Sequence, residues 1–148
     1  MLKLPIRIES ANGPWWVLCN DYRVDVKLYT SYTEVKAEPF DGCEEEIYPS
    51  VSHALHASRF ISKERRVGFF ELMPSQVPFY AKNLENRGLA AFSWKEVLAN
   101  NLKGLLKQKF SYSILRRKLL STFEAEIVLD DPGIPELGKV LMEVRDGK

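Results

Sequence analysis

The residues best suited to chemistry in this chain crowd into one stretch, YPSVSHALHASRF, from Tyr48 to Phe60: Ser52, His53, His56 and Arg59. Wound as a helix, the stretch puts Ser52, His56 and Arg59 on one polar face, with Val51, Leu55 and Ser58 on a second side and His53, Ala57 and Phe60 on another. Ser52 and His56 have the spacing of a nucleophile and its base. No third orienting acid, oxyanion hole or strained turn accompanies them, so a hydrogen bond on a polar helix face is the simpler reading. His53 reads either as a pocket hydrogen bonder or as a satisfied buried histidine that orients the helix, and the second is favoured. His53, His56, Cys19 and Cys43 fit no known zinc spacing, so neither a metal nor a cofactor is expected.

The elements around this stretch must position it. Leu4 to Ile8 alternates like a first strand and breaks at Asn12-Gly13-Pro14, after which Trp15 to Leu18 reads as a second, bulky strand. Val24, Val26 and Leu28 stand at period two within Arg23 to Val35, the pattern of a half-buried antiparallel strand or hairpin. Phe40-Asp41-Gly42 marks a turn, and Glu44 to Glu46 reads as a short solvated acidic run. From Pro49-Ser50 the period changes, with Ser50 a good N-cap. Lys63 to Leu72 and Ser75 to Leu84 follow as short helices. Ser93 and Glu96 form a capping box for a core helix over Trp94 to Lys109. A shorter helix carries Ile114, Leu115, Leu119 and Leu120, Ile127 to Leu129 reads as a strand or turn, and a last helix spans Ile134 to Val144. The expectation is one α+β domain over residues 1 to 148, with N-terminal antiparallel strands and a mainly helical remainder.

The totals bound the function classes. The chain has 148 residues, 45% apolar and 28% charged, with a formal charge of +1. That is enough for one core and lacks the basic surplus that drives nonspecific binding to phosphate backbones. Two cysteines without C-x-x-C spacing, no apolar run of membrane-spanning length and no signal-peptide pattern lead to the expectation of a cytoplasmic protein with reduced thiols.

In order along the chain, Leu18-Cys19-Asn20-Asp21-Tyr22, Asp41-Gly42, Tyr48 to Phe60, Ala81-Lys82, Trp94 to Phe110, Leu119-Leu120-Ser121-Thr122 and Leu137-Gly138 to Arg145 resemble the NADAR family of N-glycosidases. No single motif is specific; the ordered set is. The resemblance spans roughly Leu18 to Arg145. It implies cleavage of a ribose-to-nitrogen bond, in ribosylated pyrimidine intermediates or in ADP-ribose attached to guanine of DNA. It implies as partner a nucleotide or an ADP-ribose-like small molecule, free or on DNA, and no membrane.

The family motif runs Y-P-S/T-V-E-H-A-Y-Q-A-x-K-F, and its Glu and Lys are associated with catalysis. This chain has Ser52 and Arg59 in their places. A neutral hydroxyl cannot balance a developing oxocarbenium ion, and losing one charge-stabilising group costs on the order of a hundredfold in rate. Arginine forks onto phosphate or carboxylate, but its pKa above ~12 removes it as an amine nucleophile. Asp130, or an acid among Glu44 to Glu46, is the candidate substitute carboxylate. Asn20, His53, His56, Arg59, Trp94 and Asp130 are the expected ligand-binding set. Asn20 would bind ribose or close a turn, and Trp94 would stack on a ring or pack in the core. Two functions stay open: a divergent hydrolase, and a pseudoenzyme that keeps the pocket without turnover. Lys103, Lys107, Lys109, Arg116, Arg117 and Lys118 form a basic cluster read as a solvated helix face, with nucleic-acid contact as the alternative.

Overall fold

A computed structural model describes residues 5–8, 13–122, 125–129 and 133–148. The architecture is α+β, with two small sheets and helices packed over them. β2 (Val26–Thr30) buries Val26, Leu28 and Thr30 at period two, turns through Ser31 to Glu34, and pairs antiparallel with β3 (Val35–Lys36). On its other side β2 pairs antiparallel with β4 (Glu44–Tyr48), which Gly42 launches at φ +81° with a Cys43 N–H to Phe40 carbonyl bond. The N-terminal β1 (Ile6–Ile8) stands apart and pairs parallel with β5 (Ile127–Leu129), uniting opposite ends of the chain.

The expected strand at Trp15 to Leu18 is instead a 3-10 turn over Trp16–Leu18. Its N–H groups bond locally, Trp16 to Gly13, Leu18 to Trp15 and Cys19 to Trp16, so no neighbouring strand is needed. Trp16 packs edge-on against Tyr22 at 4.6 Å and closes the turn.

The acidic run is a second correction. Glu46 faces inward from β4 and meets Arg66 in a two-point ion pair of 2.7 and 2.9 Å, while accepting from the Tyr48 hydroxyl at 2.9 Å. Arg66 also donates to the carbonyls of Phe60 and Ile61. This buried pair ties the sheet to α2 (Lys63–Val67) and to the chain leaving α1 (Val51–Ala57).

α3 (Val77–Asn86) follows a 3-10 turn at Pro74–Gln76. α4 (Trp94–Lys109) begins at the Ser93–Glu96 capping box, with both reciprocal bonds formed. α1 packs against α3, α4 and the strands β2 and β4, which buries Val51, Ala54, Leu55 and Ala57 completely. α5 (Ser113–Leu120) and α6 (Leu137–Arg145) complete the chain; α6 packs on α4 and β5. Among the described residues no helix is long and apolar enough to cross a membrane.

Candidate functional site

The polar face of α1 opens onto a cleft of about 630 Å³. Ser52 and His56 line it from one face of α1, and Arg59, expected on the same helical face, lines it instead from the turn that follows the helix, its N–H donating to the His56 carbonyl at 3.3 Å. The opposite walls come from the Cys19–Asp21 turn, from α3 through Lys82 and Glu85, from Trp94 at the start of α4, and from Ile134 and Leu137 beside α6. Ile8 of β1 contributes to the apolar lining.

His53 lies elsewhere. The Leu72 carbonyl can only accept, so the 2.7 Å contact makes His53 Nε2 the donor and Nδ1 the acceptor from the Ser50 hydroxyl at 2.6 Å. The same Ser50 oxygen caps α1 by accepting from the His53 N–H. Both ring nitrogens are therefore committed to structure, and burial lowers the pKa of the ring.

His56 is different. Its ring stacks on Trp94 at 4.3 Å, and its Nδ1 has no hydrogen-bond partner among the described residues. Burial first, then the positive charge of Arg59, pushes its pKa down to about 4, so the ring is neutral near pH 7. Trp94 is fixed in turn, its indole N–H donating to the Gly133 carbonyl at 2.7 Å.

Arg59 is 6% exposed, and its Nε donates to the Phe92 carbonyl at 3.3 Å. Its two terminal nitrogens face the two carboxylate oxygens of Glu85 at 3.4 Å each, a fork-on-fork pair at the long end of hydrogen bonding. Arg59, then Lys82 at 3.6 Å, lowers the Glu85 pKa. Glu85 was invisible to motif reading, although it stands one helical turn from Lys82 of the quoted Ala81-Lys82 pair.

Among the described residues, the carboxylates on the cleft are Asp21 and Glu85. Glu44 and Glu45 lie exposed on β4, and Glu46 is consumed by Arg66. Asp130 lies outside the described residues. Among the described residues no three His, Cys, Asp or Glu side chains converge as metal ligands, and Cys43 is a free thiol.

Asn20 sits at the turn between the 3-10 segment and β2, 6% exposed and on the cleft wall. Its carbonyl accepts from the Ser52 N–H at 3.0 Å, which joins the turn to the first turn of α1. Beneath it Lys109, fully buried at the end of α4, donates to the Cys19 carbonyl at 2.6 Å. Burial pushes the Lys109 amine down to about 7. The basic cluster expected around it disperses: Lys109 is interior, Lys103 pairs with Glu143 at 3.5 Å, and Lys118 sits 4.2 Å over the Trp15 ring.

The α+β frame, with its antiparallel β3–β2–β4 sheet, its parallel β1–β5 pair and helices packed over them, shares its fold with a solved protein. The solved structure that shows it is that of YbiA from E. coli, similar over 99% of this chain and 86% of that chain, with a TM-score of 0.68 and 21% sequence identity. At that identity the likeness is one of fold. No family model and no curated protein matches the sequence.

Proposed function

We propose that this chain recognises an N-ribosyl or ADP-ribosyl ligand in the cleft and does not hydrolyse it through positions 52 and 59. The observation that carries the reading is the composition of the cleft wall. A neutral His56 stacked on Trp94 leaves one ring nitrogen unpaired beside an arginine whose terminal nitrogens make long contacts to a half-exposed carboxylate. An aromatic surface and an unpaired nitrogen suit a heterocycle. An incoming phosphate would replace Glu85 on Arg59 with a shorter, charge-assisted fork. Ser52 supplies no charge to an oxocarbenium ion, and the guanidinium cannot act as an amine.

A second reading, retained N-glycoside hydrolysis, is favoured by the carboxylates that line the cleft among the described residues, Asp21 and Glu85. In that reaction water adds hydroxide to the anomeric carbon and the leaving nitrogen takes up a proton, with a carboxylate balancing the charge between them. One experiment separates the readings. The protein is titrated calorimetrically with ADP-ribose and a ribosylaminouracil phosphate. It is then incubated with both, and with ADP-ribosylated guanine DNA, while free base and sugar are followed by chromatography. Binding without product supports recognition alone; product that disappears in Asp21→Asn or Glu85→Gln supports the hydrolase; no binding to any of them refutes both.

A further inference from the structure

Among the described residues, the side chain of Asn20 keeps both polar atoms, Oδ1 and Nδ2, buried on the cleft wall without a hydrogen-bond partner. Such an orphaned carboxamide is costly to a folded protein and is rare without a use. Its backbone, by contrast, is secured on both sides. The Cys19 carbonyl, one peptide before it, accepts from the Tyr22 N–H at 3.1 Å and from Lys109 Nζ at 2.6 Å; its own carbonyl accepts from the Ser52 N–H at 3.0 Å. The chain thus immobilises the residue while leaving only its carboxamide unsatisfied.

We infer that Asn20 is a specificity-determining residue that reads a planar ligand edge carrying a hydrogen-bond donor and acceptor side by side. A carboxamide offers one donor and one acceptor at the matching separation, the geometry by which asparagine pairs with adenine. With no internal partner to fix which end is oxygen and which is nitrogen, a half-turn of the amide serves either order, N–H beside C=O or amine beside ring nitrogen. A ring lacking one of the pair leaves half of the carboxamide unsatisfied in a water-poor wall, which is how a polar site rejects an analogue. Lys109 is the positioning residue behind it. The inference rests on the proposed reading of the cleft as an N-ribosyl site.

The test uses three N-ribosides on the intact chain: inosine and adenosine, which carry the donor–acceptor edge in opposite orders, and purine riboside, which carries acceptors alone. Inosine and adenosine are expected to bind at least about tenfold more tightly than purine riboside. In Asn20→Ala that gap should vanish while purine riboside binds as before. Asn20→Leu removes the orphaned atoms at nearly constant shape; it should also lose the gap, yet melt at a higher temperature than the parent, because a structural asparagine would do the reverse. A gap that survives in Asn20→Ala, an absent gap in the parent while ribosides bind, or an Asn20→Leu variant that is less stable or does not fold would each overturn the assignment and leave the ligand class standing. Failure of ADP-ribose and of all three ribosides to bind the parent would overturn both.

Discussion

Replacing Lys109 by Met offers a stability measurement whose shape, not only its size, follows from the structure. The amine is fully buried, it donates to the Cys19 carbonyl oxygen, and burial pushes its pKa from 10.5 to about 7. Above about pH 10.5 the amine is neutral in both folded and unfolded chains. As the pH falls from there to about 7 the unfolded chain takes up the proton first, so folding loses stability. Each pH unit in that window is worth about 1.4 kcal/mol, and the whole window about 5 kcal/mol as an upper bound. The rings of Tyr22 and Phe110, 5.5 and 5.3 Å from Nζ, favour the cation and reduce that figure. Denaturant unfolding of both proteins from about pH 6 to about pH 10 is the assay, with the difference between them as the readout, since every other titrating group cancels. Lys109→Met, which has no cation to bury, should compare best with the parent at the acid end and lose ground steadily as the pH rises. A difference that does not change with pH would refute the reasoning and show that Lys109 is solvated through motions of the surrounding core.

The other predictions concern packing and chemistry. Glu46→Gln leaves the buried Arg66 guanidinium without its counter-charge and should cost about 3–5 kcal/mol in chemical unfolding, whereas an exposed control, Glu45→Gln, should cost under about 1 kcal/mol. Gly104→Ala puts a methyl group 2.9 Å from the Ala37 side chain where α4 crosses the end of β3; overpacking of about 1–3 kcal/mol should outweigh a helix-propensity gain of about 1 kcal/mol and lower the melting temperature. Joint Ser52→Glu and Arg59→Lys substitution restores the residue types of the resembled family on the cleft wall; cleavage of an N-ribosyl substrate gained by the pair, measured by base release, would show that only the chemistry had been lost from the cleft.

What the sequence made legible was the part governed by local rules. The capping box at Ser93–Glu96 and the bounds of α4 follow from neighbours within one turn, and the shared face of Ser52 and His56 follows from helical spacing, whereas Arg59 reaches the same cleft from the turn after α1. The period-two burial of Val26 and Leu28 was equally local. The misread elements depend on partners that arrive from afar. Glu46 looks like a solvated acid until Arg66, from a later helix, meets it. Trp15 to Leu18 has a strand's composition, but i to i+3 bonds satisfy its backbone first. Glu85 and Lys109 carry no motif of their own. Their roles come from packing, one against Arg59 and the other beneath Cys19, contacts that no spacing rule encodes.

The pairing of β1 with β5 sets an order of events during synthesis. β1 leaves the ribosome before the sheet of β2, β3 and β4 and before α1 to α5, yet its partner, Ile127 to Leu129, follows all of these. Ile8, Ile134 and Leu137 reach the cleft from these same two ends, while Arg145 donates to Thr122 and Ala125 and fastens the last helix to the segment before β5. The face of α1 and its packing on α4 can form earlier, but the cavity it borders closes last. A chain cut before β5 would therefore keep the packing of α1 on α4, lose the Ile134 and Leu137 side of the cleft, and leave Ile8 without its partner strand.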